Sequence, residues 1–352
     1  MMPYQREFDR RVRAAVVGVG SHCYRNLLPA MTYLPVELVA MCDLDEARLK
    51  ATAKQYGVAR TYARTADLYA AGDVEAVFLC VSPQMHPELA AEALAAGVHV
   101  WMEKPPAMRA AQIAELMELQ GDRVVVVGFK KAFMPAIVKA RELLGRQEHQ
   151  PLRTVLAEYP MTIPGNGQQV LDSGEGCNWL CNGCHPLSAM IALGGPVRSV
   201  VTHRGLHGGG AVILAFDGGA VGNLHLGQGA PEAYERYTCY ANNCIVTIDN
   251  GLRMTYRRGI PFDYSRQTTF APAGLDHGSI VWEPQNCLAT LENKPLFTQG
   301  FYGELREFCD CILDARQPAT AGLVFANHLM RTYEAALLSN GEAVPVESVW
   351  DG

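Results

Sequence analysis

The feature that most constrains the fold is a regular alternation of strand and helix patterns over the first 130 residues. Leu- and Ala-rich helical stretches separate short apolar runs, many of them β-branched, at 13–18, 36–43, 76–80, 99–102 and 124–128. Continuous apolar strands with helices between them are typical of a parallel sheet covered on both faces. The sequence therefore predicts an α/β fold whose N-terminal domain, residues 1–131, is doubly wound.

A glycine-rich turn joins the first strand to the first helix. In the segment Gly18 to Cys23 (GVGSHC), backbone N–H groups and the helix dipole are placed to stabilise a pyrophosphate. Cys23 replaces the third glycine of the usual fingerprint. Asp43 ends the second strand and can accept hydrogen bonds from both adenosine ribose hydroxyls, whereas it would repel a 2′-phosphate. We therefore expect NAD rather than NADP at Gly18, Gly20, Ser21, His22 and Asp43.

The second part of the chain has a different pattern. Short strands separated by Gly, Asn and Asp turns are predicted at Val155–Pro160, Ala211–Phe216, Ala220–Leu226, Tyr237–Tyr240 and Ile245–Asp249. Asp217-Gly218-Gly219 has the composition of a hairpin turn. Helices are predicted at 302–315 and 323–338. Residues 132–352 are therefore predicted to form an α+β domain with a large, mostly antiparallel sheet.

The charge and the apolar pattern exclude several classes of partner. The net charge of −6 argues against nucleic acid or an anionic membrane surface. No apolar run approaches the ~20 residues that cross a bilayer, and the first residues lack the apolar core of a secretory signal. We expect a cytoplasmic protein whose eleven cysteines stay reduced.

Six segments along the chain carry a family resemblance. They are AAVVGVGSHCYRNLLPAM, VAMCDLDEARL, FLCVSPQMHPELAAEALAAGVHVWMEKPPA, VVGFKKAFMPAI, NGCHPLSAMIALGG and FYGELREFCDCIL. In this order they resemble the Gfo/Idh/MocA oxidoreductases, relatives of glucose–fructose oxidoreductase and inositol dehydrogenase. The Glu103-Lys104-Pro105 motif is the most specific of these signals. The resemblance implies a Rossmann domain followed by a substrate and oligomerisation domain, and a homodimer or homotetramer.

The resemblance also implies the roles of individual residues. Lys104 matches a lysine that orients substrate and takes part in catalysis, and His185 matches its histidine partner. Further cofactor contacts are implied for Ser82, Pro83, His86, Glu103 and Lys104, and weaker substrate contacts for Lys131, Tyr159, Asn178, Cys181, Asn182 and Tyr302. Cys181 occupies the position where relatives usually carry an aspartate, and Lys130 a position where many carry asparagine.

These residue types suit hydride transfer between NAD and a secondary hydroxyl, and the resemblance implies a sugar, cyclitol or related polyol as the substrate. Histidine has an ordinary pKa of about 6.5 and can accept the hydroxyl proton near neutral pH. The Lys104 ammonium can stabilise the developing alkoxide. Because Cys181 is neutral, we expect either that the base titrates at lower pH than in relatives or that another residue supplies the missing carboxylate.

The segment CNWLCNGCH, residues 177–185, permits other interpretations. Its spacing resembles a radical-SAM cluster, a c-type haem attachment or a zinc site. Four ligands on one rigid helix rarely surround a metal tetrahedrally, and zinc sites usually draw ligands from two segments. We therefore expect no metal here and interpret Cys177, Cys181 and Cys184 as packing around a catalytic histidine.

Two alternative functions remain open at this stage. Some relatives retain NAD and cleave glycosidic bonds by transient oxidation and elimination. With the aspartate lost, the chain could instead bind a dinucleotide and a sugar as a sensor without turnover. The sequence names neither the sugar nor the physiological direction.

Overall fold

The computed structural model describes residues 8–229, 234–259, 277–284 and 294–350. The chain divides into two compact units, 1–130 with 292–330 and 131–291 with 331–352. The first boundary falls one residue before the predicted one. Residues 292–330, which the sequence assigned to the second domain, belong to the first unit.

The first unit begins with a six-stranded sheet. Its strands are β1 (Val12–Val17), β2 (Val36–Cys42), β3 (Arg60–Tyr62), β4 (Ala76–Leu79), β5 (His99–Met102) and β6 (Val125–Val127). Its helices here are α1 (Leu28–Met31), preceded by a π-helical turn at Cys23–Leu27, α2 (Glu46–Tyr56), α3 (Thr65–Ala70), α4 (His86–Ala95) and α5 (Ala110–Leu119). The strand order is β3-β2-β1-β4-β5-β6, and all pairs are parallel. The predicted doubly wound domain is confirmed, although the short β3 and α3 were not predicted.

The second unit is built on a nine-stranded sheet. It contains a 3-10 turn at Lys130–Phe133 that starts in the first unit, a second at Gln147–His149, and the helices α6 (Pro135–Leu144), α7 (Gly167–Ser173) and α8 (Asn178–Gly194). Its strands are β7 (Leu152–Tyr159), β8 (Val197–Arg204), β9 (Gly210–Phe216), β10 (Val221–Leu226), β11 (Arg236–Ala241), β12 (Cys244–Asp249), β13 (Arg253–Arg257) and β14 (Ser279–Trp282). The chain ends with α9 (Lys294–Thr298), α10 (Phe301–Leu313), α11 (Leu323–Leu338) and the short strand β15 (Val344–Pro345).

The second sheet is mostly antiparallel, as predicted. Its order is β14-β13-β12-β11-β7-β10-β9-β8-β15. Among the described strands of this second sheet, only the β7–β10 pair is parallel. β9 and β10 pair antiparallel across the predicted turn at Asp217–Gly219. One face of β7 is covered by α8, which places the residues of that helix against the sheet.

The return of α10 to the first unit has a clear physical reason. Its apolar side, with Leu305 and Phe308 fully buried, packs on β1, β5 and β6. Phe308 meets Phe78 of β4 edge-on at 5.3 Å between ring centroids, and the Val127 amide donates to the Ala321 carbonyl at 2.8 Å. A parallel sheet needs cover on both faces, and this later segment provides part of it.

No helix among the described residues is long and apolar enough to span a bilayer.

Candidate active site

The glycine turn after β1 requires glycine at one position above all. Gly18 has φ +87°, and a Cβ built there would lie 2.4 Å from the Cys80 carbonyl oxygen. Both the left-handed backbone and the close approach of β4 therefore exclude a side chain. Gly20 has open space around it. The predicted turn is formed, and it is held tightly against the end of the neighbouring strand.

Asp43 organises this turn from the end of β2. One carboxylate oxygen accepts from the Val19 amide at 2.8 Å, and the other accepts from the Asp45 amide and from Arg48 Nη2, each at 2.8 Å. Burial by itself raises the pKa of Asp43, but the hydrogen bonds with Asp45, Arg48 and Val19 together lower it below its usual value. The carboxylate is therefore ionised and fixed at the strand end.

A cavity of about 610 Å³ opens where β1, β2 and β4 end. The predicted residues Gly18, Gly20 and Asp43 line it, and so do residues absent from the predicted set, among them Leu44, Arg48, Arg64, Thr65, Cys80, Val81 and Met85. Open α/β sheets bind ligands at the carboxyl ends of their strands, where the strand order reverses. The cavity lies at such a position, because β2 and β4 flank β1 on opposite sides.

The Glu103-Lys104-Pro105 loop is anchored to the glycine turn. His22 Nε2 and Glu103 Oε1 lie 2.7 Å apart, and Glu103 Oε2 accepts from the Lys104 amide at 3.0 Å. The His86 ring, which is 1% exposed, hydrogen-bonds the Pro105 carbonyl oxygen through Nδ1 at 2.8 Å. The Lys104–Pro105 bond is cis. Two histidines thus fix the backbone on both sides of Lys104.

The His86 ring is buried beneath the loop and helps to position Pro105. A contact of His86 with a cofactor ribose stays a prediction. Ser21 and Ser82 are exposed, and Pro83 is half-buried, close in sequence to the cavity-lining residues Gly20 and Val81.

A second buried carboxyl lies near Glu103 and was not predicted. Glu304 of α10 is fully buried, and neither carboxylate oxygen has a hydrogen-bond partner within the described part of the chain. Burial raises the pKa of Glu304 well above its usual value, and the charge of Glu103 raises it further, against opposing effects of Lys130 and Lys104. Glu304 therefore keeps its proton to a higher pH than an ordinary glutamate does.

In the second unit, His185 faces the inner side of the sheet. It is 9% exposed on α8, and its ring centroid lies 6.4 Å from that of Tyr159 on β7. Burial, assisted by the charge of Glu235, raises the pKa of Tyr159. Tyr159 is therefore a neutral phenol beside the imidazole over the whole physiological range.

Lys131 and Glu235 form a buried ion pair, of which the sequence pointed to only one member as a site residue. Their side chains are 11% and 12% exposed, and Lys131 Nζ contacts Glu235 Oε1. Glu235 Oε2 accepts from the Tyr237 hydroxyl at 3.0 Å. Lys131 was predicted as a substrate residue, but Glu235 was not. A signal was present: Glu235 lies two residues before the buried Tyr237, so strand alternation points its carboxylate inward.

The remaining predicted residues lie on α8 or in the other unit. Asn178 is exposed and Asn182 half-buried on α8. Tyr302 belongs to the first unit, where its ring packs 4.9 Å from Phe297. Lys130 Nζ lies 4.2 Å above the Phe301 ring and donates to Gln299 at 3.2 Å.

The cysteines of α8 have local structural roles. Cys177 is the N-cap, and its Sγ accepts from the Leu180 amide at 3.4 Å. Cys184 Sγ donates to the Leu180 carbonyl at 3.1 Å. The ten cysteines in the described ranges are free thiols; Cys287 lies outside them. The described residues contain no group of three or more His, Cys, Asp or Glu placed to hold a metal.

Comparison with known proteins identifies the family. The model of an oxidoreductase family with an NAD-binding Rossmann fold, Gfo/Idh/MocA, matches residues 12–130. A dTDP-3,4-didehydro-2,6-dideoxy-alpha-D-glucose 3-reductase from Streptomyces violaceoruber is 30% identical over 244 residues, which cover 65% of this chain and 69% of that protein. The chain belongs to the Gfo/Idh/MocA family.

Other members and neighbours agree with this assignment. The inositol 2-dehydrogenase of Salmonella paratyphi B is 34% identical over 162 residues, covering 44% of this chain and about half, 48%, of that protein. The structure of an oxidoreductase from Agrobacterium radiobacter in complex with NAD+, L-tartaric acid and magnesium superposes with a TM-score of 0.76 at 16% identity, over 96% of this chain and 98% of that one. This superposition shows that the chain shares the fold of the Agrobacterium protein over nearly its full length.

Proposed function

We propose that this Gfo/Idh/MocA protein is a dehydrogenase that transfers hydride between NAD(H) and a secondary hydroxyl of a sugar, cyclitol or related polyol. The observation that carries the proposal is the 2.7 Å contact between His22 and Glu103. It ties the loop that bears Lys104 to the glycine turn of the dinucleotide cavity, so that an ammonium is held close to a cofactor site.

The residues of the first unit fit a dinucleotide. Gly20 lines the cavity with open space around it, and Asp43 presents an ionised carboxylate to the cavity. Gly18, Gly20 and Ser21 would hold the pyrophosphate, and Asp43 the adenosine ribose. When bound, the nicotinamide supplies the hydride acceptor or donor. The side chains of the protein bind the substrate and move its proton.

We expect NAD to be preferred over NADP. Asp43 is ionised, and a carboxylate at this position repels a 2′-phosphate. Arg48 also lines the cavity, but its guanidinium is paired with Asp43 and partly neutralised by it. The expected measurement is a kcat/KM at least about tenfold higher with NAD than with NADP, since one repelled charge is worth about 1.4 kcal/mol or more. Equal kcat/KM values with NAD and NADP would contradict the expected preference for NAD.

His185 and Lys104 divide the proton chemistry between them in this proposal. His185 accepts the hydroxyl proton during oxidation and returns it during reduction. The Lys104 ammonium donates to the same oxygen and stabilises its negative charge as the proton leaves. Lys131, Tyr159 and Asn182 are proposed to contact the other hydroxyls of the substrate. The neutral Tyr159 phenol can donate to a substrate oxygen at any physiological pH.

The test is a spectrophotometric assay of NAD reduction with a panel of cyclitols, free sugars and nucleotide sugars. The panel includes inositol and a dTDP-sugar because the names of relatives point to these classes. Lys104→Ala and His185→Asn are each expected to lower kcat by about 10²- to 10⁴-fold, with NAD affinity within about twofold of wild type. Lys139→Ala is the matched control, because that lysine forms an ion pair with Glu142, three residues away on the same helix.

The same assay separates the two alternative functions. If glycosides are consumed and NADH does not accumulate, the protein would instead be a glycosidase that retains NAD and acts by oxidation and elimination. If the protein binds NAD but turns over no substrate, and Lys104→Ala binds NAD as wild type does, the dehydrogenase proposal would give way to a sensor function.

A further inference from the structure

The dinucleotide cavity contains a carboxylate that the proposed function leaves without a role. Glu92 of α4 lines the cavity together with Gly18, Gly20 and Asp43. Any role for Glu92 in ligand binding rests on the proposed function, because that proposal places NAD in this cavity. The question is which part of the cofactor a carboxylate at this position could recognise.

The Glu92 side chain is fixed by a neighbouring helix. Thr65, the first residue of α3, donates from its hydroxyl to Glu92 Oε2 at 2.6 Å and so joins α3 to α4. Within the described ranges, this is the single hydrogen bond of the Glu92 carboxylate. An ionised carboxylate offers about four acceptor positions. One oxygen of Glu92 is therefore held in place, while acceptor positions remain for a ligand.

The walls of the cavity around this carboxylate are largely apolar. The side chains that provide them are those of Leu44, Ala63, Ala66, Val81, Met85 and Leu89. Apolar walls suit the flat faces of a nucleobase, and a few polar groups then fix its orientation. Glu92 and Thr65 are such polar groups, because they come from the same two connections, β3 to α3 and β4 to α4, as most of these apolar residues.

The charged and titratable neighbours leave the Glu92 charge available. Arg48 pairs with Asp43, and Arg64 Nε lies 3.8 Å from Asp67 Oδ2. Burial first, and then the charges of Asp43 and Glu92, raise the pKa of the Cys42 thiol to about 11. Burial and the Glu92 charge also raise the pKa of the Tyr69 hydroxyl. The thiol and the phenol are therefore neutral at physiological pH.

The order of groups in NAD indicates what reaches Glu92. The pyrophosphate and the adenosine ribose are proposed to lie at the glycine turn and at Asp43, and the adenine follows the ribose. The lining that remains for it comes mainly from the connections that carry Thr65 and Glu92. Adenine presents an exocyclic amine, which donates hydrogen bonds. A carboxylate only accepts them, so the two groups are complementary.

We propose that Glu92 selects adenine by accepting a hydrogen bond from its exocyclic amine, with Thr65 as the residue that positions the carboxylate. The ligand class is a dinucleotide whose base carries an amine at this edge. Hypoxanthine has a carbonyl oxygen in place of the amine. Two acceptors would then face each other, and the Glu92 carboxylate would lose its partner.

The test compares the binding of NADH and deamino-NADH, its hypoxanthine analogue, to the full chain by nicotinamide fluorescence. Wild type is expected to bind deamino-NADH at least about tenfold more weakly. In Glu92→Gln, the amide can accept from an amine or donate to a carbonyl oxygen, and the Thr65 hydroxyl can serve either orientation. The two Kd values should then agree within about threefold, because the analogue binds more tightly than in wild type. Equal Kd values in wild type, or an unchanged ratio in Glu92→Gln, would overturn the proposal.

Thr65→Val tests the positioning role separately. Valine keeps the shape of threonine but cannot donate to Glu92, so the ratio of the two Kd values should fall to between about two and five. A purely structural role of Thr65 would weaken the binding of both dinucleotides equally and leave the ratio unchanged. Glu88→Gln is the matched control, because Glu88 is exposed on the same helix, and its ratio should equal that of wild type. Urea unfolding of each variant verifies that the ratios are measured on folded protein.

The binding measurement also separates this role of Glu92 from the proposed function. A protein that binds neither dinucleotide has no NAD site, and the proposed function fails together with the role of Glu92. A protein that binds NADH and deamino-NADH equally well and still oxidises a polyol keeps the proposed function, and only the selection of adenine by Glu92 is refuted.

Discussion

Replacing Asp43 by asparagine tests whether a single carboxylate organises the dinucleotide turn. The carboxylate accepts three hydrogen bonds, from the amides of Val19 and Asp45 and from Arg48, each 2.8 Å long. An asparagine has one acceptor oxygen, and its NH₂ group must face at least one of these donors. Whichever way the amide turns, one N–H donor in the turn loses its acceptor.

The size of the effect follows from these contacts. A lost hydrogen bond to a charged acceptor is worth about 1.5–3 kcal/mol. The ion pair with Arg48 adds little, because that side chain is 46% exposed and surface pairs contribute about 0–1 kcal/mol. We therefore expect Asp43→Asn to lower the free energy of unfolding by about 2–3 kcal/mol. NAD affinity should fall about tenfold or more, since an adenosine ribose acceptor is lost as well.

The assay is urea unfolding of the full chain, together with NAD titration. Asp45→Asn is the matched control. Asp45 caps α2 by accepting from the Arg48 amide at 3.0 Å, and asparagine is as good an N-cap as aspartate. The control should stay within about 0.5 kcal/mol of wild type. The reasoning is refuted if Asp43→Asn also stays within that range.

The pH dependence of this difference has a definite sign. Because the folded pKa of Asp43 lies below its ordinary value, its stabilisation is present above the ordinary aspartate pKa of about 3.9. It is lost as the pH falls through the lowered folded pKa. The gap between wild type and Asp43→Asn should therefore be constant near neutral pH and shrink in acid.

Four further substitutions have expected outcomes. Gly18→Ala should cost about 2–4 kcal/mol in urea unfolding and abolish NAD binding, because the left-handed backbone alone costs about 1–2 kcal/mol before the clash. Gly20→Ala, whose Cβ would meet open space, should stay within about 0.5 kcal/mol of wild type in the same unfolding but weaken NAD binding, because Gly20 is proposed to let the backbone approach the pyrophosphate. Glu304→Gln should be more stable than wild type at pH 8 but not at pH 5: a raised folded pKa means that stability is lost above the ordinary value, by up to about 1.4 kcal/mol per pH unit. An equal difference in melting temperature between Glu304→Gln and wild type at the two pH values would contradict this prediction. Cys177→Ser should raise the stability by about 0.5–1 kcal/mol in thermal melts, since serine is the better N-cap, whereas a metal-binding thiol would make it destabilising.

Much of the fold could be predicted from the sequence because its signals are local. Apolar β-branched runs such as Val12–Val17 and Val125–Val127 are almost completely buried, and the helices between them impose parallel pairing. The glycine at position 18 and the acid at the end of β2 also lie within 25 residues of each other. Patterns of this kind depend on strand and helix periodicity alone, so a single sequence contains them.

Other features depended on contacts between distant segments. Residues 292–330 carry no signal that assigns them to the first unit; α10 joins it because the sheet needs cover that the first 130 residues leave incomplete. The hydrogen bond between the His86 ring and the Pro105 carbonyl likewise joins positions 19 residues apart, which no local pattern predicts.

The sequence by itself determined the doubly wound domain, the dinucleotide turn and the family motifs with Lys104 and His185. Only the tertiary structure decided which charged side chains meet across distant segments of the chain. Glu235 meets Lys131 across 104 positions of the chain, and it does so because strand register and a 3-10 turn place both side chains under the same sheet. Periodicity fixes which face a residue occupies, whereas the charge that it meets there is fixed by packing between segments that are remote in sequence.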